Sequence, residues 1–360
     1  MKINFTLFGA KLTGGTFNIV EPAQRLAQRG HEVVLTSIGS PADLNWFKKS
    51  RKPLFKENFT PFADKFLYKV YRKLLKGSVL HPFPDVEIKD LIRSMPDCDV
   101  NIATAAPTTF AVHRSGKGRG FYYIQHFDSL FVKDDLIKNI HNESYFLPLN
   151  KISVSSWIKD RIENDLKVEV NNVITAGIDE KVFYPRSNKN GNKKRIVSLG
   201  RKVDWKGFWE LREAIKELFK KRDDFEWVVY SAHDTPEPSF EAPFTLIKSP
   251  YGKDLAELYS SCDIAVNPSW HEGFAQPALE AMACGAAVVT TPVGAEDFAK
   301  NNKNCLLVDP QNPKKIEESI EKLLDDQNLR DKLIDGGLRT AKDFYWDKII
   351  DKWEAVIKKI

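Results

Sequence analysis

Residues 267–291 read N-P-S-W-H-E-G-F-A-Q-P-A-L-E-A-M-A-C-G-A-A-V-V-T-T, and this run leaves the chain few choices of fold. Just before it, Ser261–Val266 reads as a short buried strand; at its end, Ala286–Thr290 reads as another. Between them lie a loop and a short helix. Pro277 suits the first helical position, Ala278–Ala283 continue it, and Gly285 stops it. The unit is strand–loop–helix–strand, with its loop at the carboxyl end of a strand. In open α/β sheets that is where ligands gather.

Two carboxylates mark the unit, Glu272 in the loop and Glu280 on the helix. The first amides of a helix lack intrahelical partners and carry the positive end of its dipole, so the loop and helix start form an anion site. A phosphate would take the amides around Ala278 and Leu279. Glu280 would accept from a ribose diol, Glu272 would hold the hydroxyls of a second ring, and Gly273 lets backbone approach ligand closely. The plain alternative is a helix with one exposed glutamate and a second glutamate in water. The run Glu272–Gly285, E-G-F-x-x-P-x-L-E-A-M-A-x-G, closely resembles the signature of the family 4 glycosyltransferases, which are retaining enzymes with the GT-B fold. Glu272 and Glu280 fall on that family's paired glutamates, and Phe274 lies in the same motif.

With 360 residues, 42% of them hydrophobic and 29% charged, the chain fits two ordinary globular domains. Cys98, Cys262, Cys284 and Cys305 show no paired metal-ligand spacing and read as reduced thiols. The opening M-K-I-N-F-T-L-F-G reads as a first strand rather than a targeting peptide. No apolar run reaches the length of a membrane span, so a cytoplasmic location is expected, with the inner membrane face as a variant.

Ile3–Phe8 is a predicted strand ending in a loop that contains Gly14 and Gly15. A helical pattern follows to Gly30, then a strand over His31–Thr36. The dinucleotide fingerprint G-x-G-x-x-G is absent, which argues against a nicotinamide dehydrogenase. The Gly-Gly turn and the later R-G-H-E-V resemble the opening of family 4 enzymes, and the resemblance implies that Gly14 and Gly15 bind the donor phosphate beside the acceptor. Asp99–Thr104 and Gly120–Gln125 are further predicted strands. His126, after the second of these, can bond a sugar hydroxyl or move a proton, with Asp128 as a further candidate. A structural histidine is the alternative.

Charge is uneven. Residues 1–178 carry 25 Lys and Arg against 18 Asp and Glu, and the remainder 29 against 31. The excess collects in residues 45–76, where aromatic residues interleave with lysines and Phe62–Leu75 fits an amphipathic helix. Such a segment can lie on an anionic membrane near a lipid-linked acceptor. Alternatively its apolar face packs on the domain core. No nucleic-acid partner is expected.

Residues 175–185 resemble the family's domain crossover, and Ser187–Lys194 reads as the linker. Arg195–Leu199 is a predicted strand ending in G-R-K-V-D-W-K-G, where Arg201 and Lys206 precede a helix. Two cations beside free amides suit a diphosphate. The spacing resembles the family's G-R…K-G motif, which implies that this pair stabilises the leaving nucleoside diphosphate. The alternative is two exposed basic residues in a loop.

The expectation is an α/β chain of GT-B fold, with two Rossmann-like doubly wound domains facing a central cleft. Residues 1–180 would bind a glycan or lipid-linked acceptor and residues 190–344 the nucleotide-diphosphate sugar. A final helix over about 345–360 would pack back on the first domain. The catalytic candidates are Glu272, His126, Arg201 and Lys206. The donor-binding candidates are Gly14, Gly15, Arg201, Lys206, Gly273, Phe274, Ala278, Leu279 and Glu280. No cofactor is expected beyond the donor. No metal is expected either, because Asp97-Cys98-Asp99 precedes its strand instead of following one. An epimerase or hydrolase of the same fold, or a carbohydrate-binding pseudoenzyme, are the rival readings.

Overall fold

The computed structural model describes residues 1–10, 13–49, 51–60, 85–130, 135–186, 191–232 and 235–359. The chain divides into two compact units. The first comprises Met1–Val154, Ile158–Ile174 and Ile350–Ile360; the second comprises Ser155–Trp157 and Thr175–Ile349.

The first unit is built on a seven-stranded parallel sheet. Its strands are β1 (Lys2–Leu7), β2 (Glu32–Ile38), β3 (Lys56–Thr60), β4 (Val100–Ala103), β5 (Arg119–Ile124), β6 (Asn150–Ser153) and β7 (Asn172–Val173). They lie in the order β3-β2-β1-β4-β5-β6-β7. Parallel neighbours need crossovers, and helices supply them, so the central strands are buried on both faces. In β1 the apolar Ile3, Phe5 and Leu7 alternate with Asn4 and Thr6, and all five are buried. The buried amides find partners in the sheet itself. Asn4 donates to Asn101 of β4 at 2.9 Å and accepts from Thr36 of β2 at 2.7 Å. This polar ladder ties the three central strands in one register.

The basic, aromatic run 45–76 is described in part, and that part folds into the unit. Asn45–Lys48 forms a short helix and β3 pairs with β2 at the sheet edge. Phe47 and Phe55 are buried, Lys48 pairs with Glu57 at 2.7 Å, Lys56 with Glu32 at 2.7 Å, and Arg51 with Glu21 at 3.0 Å. Here Phe47 and Phe55 join the core, and Lys48, Arg51 and Lys56 have acidic partners. The amphipathic helix expected over Phe62–Leu75 lies outside the described residues.

The second unit carries a six-stranded parallel sheet: β8 (Lys194–Leu199), β9 (Phe225–Ser231), β10 (Thr245–Lys248), β11 (Ile264–Asn267), β12 (Ala287–Thr290) and β13 (Leu306–Leu307), in the order β10-β9-β8-β11-β12-β13. Its core gathers Phe208, Trp227, Val229, Ile264 and Val289. In both sheets the first strand sits between two groups laid down in opposite directions. The order reverses between β1 and β4 and again between β8 and β11, which makes those two crevices the expected ligand sites.

Candidate functional site

The second crevice holds the signature. β8 ends at Leu199 and β11 at Asn267, and the two following loops meet outside their carboxyl ends. Two glycines allow it. A Cβ on Gly200 would lie 2.3 Å from Val229, and one on Gly207 would lie 2.1 Å from the Pro268 carbonyl oxygen. Gly207 also has φ +65°, a region open to glycine at little cost. With both loops in contact, the Trp270 amide donates to the Trp205 carbonyl at 2.8 Å.

That contact brings Lys206 to Glu272. The ammonium donates to Oε1 at 2.7 Å, and the Ser269 hydroxyl donates to the same oxygen at 2.8 Å. Glu272 and Ser269 are both buried. The Thr291 hydroxyl, at the end of β12, donates to the Ser269 carbonyl at 2.6 Å. Gly294 closes the other side, where a Cβ would lie 2.8 Å from that of Glu272. Arg201 stands on the same loop as Lys206, next to Gly200.

The signature helix runs Gln276–Ala283 and ends before Gly285, which has φ +81°. It is buried along most of its length because it lies between β11 and β12 in sequence and packs against both. Glu280 is therefore buried as well. Burial pushes its carboxyl up to about 8, against a hydrogen bond from Gln276 that favours the charged form. The amides of Ala278 and Leu279 both donate to the Ala275 carbonyl, at 3.1 and 3.3 Å. A phosphate there would have to displace those bonds, so the positive charge available to a diphosphate comes from Arg201 and Lys206. The Phe274 ring packs against Phe298 and Phe344, and its carbonyl accepts from the Gln276 amide at 2.7 Å. Beneath the helix start a small pocket is lined by Ser198, Tyr230, Tyr259, Asn267, Pro277 and Ala278. The Tyr230 and Tyr259 hydroxyls lie 2.6 Å apart there, and burial raises both phenols.

Gly14, Gly15 and His126 belong to the first unit. The glycines open the Gly14–Gln28 helix, whose Thr13 cap accepts from the Thr16 amide at 3.0 Å. His126 follows β5 and is exposed, and its carbonyl accepts from the Tyr145 hydroxyl at 3.2 Å. Asp97 and Asp99 precede β4, as expected of a turn, and the Asp99 carboxylate accepts from the Lys2 amide at 2.7 Å. Among the described residues no three His, Cys, Asp or Glu side chains gather as a metal site. Also among them, no helix is long and apolar enough to cross a membrane.

A larger cavity, about 360 Å³, lies at the opposite end of the same sheet, lined by Lys194, Arg195, Glu226, Asp263, Gln327 and Arg330 among others. Its charges satisfy one another: Arg195 donates to Glu226 at 2.6 Å and to Ser261 at 2.9 Å, and Arg330 to the Leu323 and Leu324 carbonyls. Nothing there converges on a ligand.

Reading along the chain missed Ser269 and Thr291, while the loop over residues 292–296, which holds Gly294, is read from the sequence as lying near the site. Pro268-Ser269 sits inside the quoted run, but its role depends on strand β12 arriving beside it, which no local pattern shows.

Two doubly wound sheets, with basic residues and glutamates at the switch point of the second, form a setting suited to an anionic, hydroxyl-rich ligand such as a nucleotide sugar. Residues 193–326 match the family model described as glycosyl transferases group 1. The second unit therefore resembles the group 1 glycosyltransferases, and the fold of the chain is GT-B. It is 24% identical over 370 residues to an uncharacterized glycosyltransferase of Methanocaldococcus jannaschii, covering 93% of this chain and 92% of that one. It is 30% identical over 221 residues to the MMP alpha-(1->4)-mannosyltransferase of Mycolicibacterium hassiacum, covering 58% of this chain and 53% of the relative. Two of the first relatives are thus matched over about half their length, 56% and 53%. Among solved structures, Anabaena HepE in complex with UDP-glucose superposes with a TM-score of 0.78 at 14% identity over 100% of both chains.

Proposed function

We propose that this protein transfers a sugar from a nucleotide-diphosphate sugar to a hydroxyl of a glycan or lipid-linked acceptor, with retention of anomeric configuration and without a required metal. The observation that carries the reading is the 2.7 Å pair of Lys206 with Glu272 at the β8/β11 switch point, with Arg201 on the same loop as Lys206 and Glu280 on the helix that follows Glu272. As the glycosidic bond breaks, the leaving diphosphate gains negative charge, and Arg201 and Lys206 stabilise it. Glu272 accepts from hydroxyls of the transferred ring, and Glu280 from the ribose diol. In the first unit, Gly14 and Gly15 approach the donor phosphates and His126 bonds a sugar or acceptor hydroxyl. The acceptor loses its proton to the leaving phosphate as the new bond forms. That HepE holds UDP-glucose and that a relative is named a mannosyltransferase both favour a hexose donor.

The test is a thermal-shift panel of nucleoside diphosphates and their sugars, without added metal, on wild type and Glu280→Ala. The expected result is stabilisation of wild type by one base family and loss of that effect in the variant. Indifference of wild type to the whole panel would overturn the reading. A stabilising sugar nucleotide then enters an acceptor screen, where release of free sugar alone would favour the hydrolase.

A further inference from the structure

Glu272 has only one of its two oxygens committed. Lys206 and Ser269 both donate to Oε1, while Oε2 has no partner among the described residues. The two holds differ in kind. Lys206 also belongs to the cationic pair facing the diphosphate, so a bound donor draws its ammonium towards phosphate oxygens. Ser269 has no such second task. Its side chain is buried, its carbonyl is fixed by Thr291, and its neighbour Pro268 is pressed on Gly207.

We infer that Ser269 is a positioning residue for the donor sugar, resting on the donor reading above. Its hydroxyl keeps Glu272 Oε1 in place when Lys206 turns to the diphosphate, so that Oε2 stays aimed at a hydroxyl of the transferred ring. Without it, the carboxylate is free to follow Lys206 or to rotate about its last torsion, and its hold on the sugar is lost. The effect is specific to the sugar, because the Ser269 side chain is buried and its hydroxyl acts through Glu272. Hydrogen bonds to a charged group contribute enough that losing this one should cost about tenfold to a hundredfold in sugar recognition.

The experiment measures dissociation constants by calorimetry for two matched pairs, UDP with UDP-glucose and GDP with GDP-mannose, on wild type, Ser269→Ala and Ser269→Thr. The pair that wild type binds is the one read. Ser269→Ala is expected to keep the affinity for the nucleoside diphosphate and to lose about tenfold to a hundredfold for its sugar, with Ser269→Thr regaining much of that loss. Equal weakening of both members in Ser269→Ala, an unchanged ratio, or a folded threonine variant no better than alanine would each overturn the proposal while leaving the donor reading intact. If wild type binds neither these pairs nor any other nucleoside diphosphate of the thermal-shift panel with its sugar, the donor reading fails and this inference fails with it.

Discussion

Glu280 is the residue at which the proposed donor binding and the stability of the fold are coupled. A carboxyl held up to about 8 by burial binds a proton in the folded chain that the unfolded chain releases near its ordinary value of 4.5. Its contribution to stability is therefore fully present below pH 4.5 and is lost as pH rises through about 8. Glu280→Gln removes that dependence. Chemical denaturation from pH 5 to 9 should show the wild type losing on the order of a few kcal/mol that the variant keeps. The same linkage acts on ligand. A ribose diol donates hydrogen bonds, favours the carboxylate and expels the proton, so nucleoside diphosphate affinity should strengthen towards pH 8 and calorimetry should register proton release. Binding with no pH trend over that range would place the diol elsewhere. Lys206 offers a second test at this scale. Lys206→Met leaves the buried Glu272 carboxylate with Ser269 alone, and a stranded buried charge costs about 3 kcal/mol or more. Urea unfolding should show that loss, and Lys206→Met/Glu272→Gln should restore part of it.

At the scale of elements, the site is a junction of two loops, and Gly207 makes the junction. An alanine there meets the Pro268 carbonyl and must also adopt a left-handed φ of +65°. The two effects together should cost about 2–4 kcal/mol. They should also part Lys206 from Glu272, so denaturation midpoint and donor affinity should fall together. What could be read from the sequence follows the same division. Strands such as Lys194–Leu199 and Ala287–Thr290 are short apolar runs bounded by glycine, and the signature helix has its proline and its stop glycine in place, so spacing alone located them. The edge strand Lys56–Thr60 is only partly buried, which leaves it polar enough to pass for part of a basic loop. The helix Ala106–Ser115 buries its first seven residues on every side and so shows no amphipathic period to find. Ser269 and Thr291 escaped notice because their bond joins residues 22 apart, a consequence of β11 and β12 pairing in parallel.

The whole molecule repeats one topology twice, yet its two units are not two contiguous halves of the chain. Ile350–Ile360 belongs to the first unit, although everything from Thr175 to Ile349 belongs to the second. The final helix, Trp346–Lys358, spans that change. Its beginning is fixed in the second unit, where Ile178 and Tyr345 form an isolated bridge and a Cβ on Gly177 would lie 2.4 Å from the Trp346 ring. Its end completes the first unit's core. Trp353 is fully buried, with its ring 5.9 Å from Phe5 of β1 and 4.9 Å from Tyr123 of β5. Glu354 takes a hydrogen bond from Arg29 at 2.9 Å and lies 2.8 Å from His31, and these partners hold its carboxyl down at about 2. The first unit's stability thus rests on the last residues of the chain. Trp353→Ala empties a large volume where the final helix packs over β1 and β5 and should cost about 3–5 kcal/mol. Because the cost falls on one unit, hydrogen exchange should show it as faster exchange across β1, β4 and β5 with β8 and β11 unchanged. The nucleoside diphosphate, bound at the second unit's switch point, should then still protect β8 and β11 in the variant, whereas a uniform rise in exchange over both sheets would mean that the two units unfold as one.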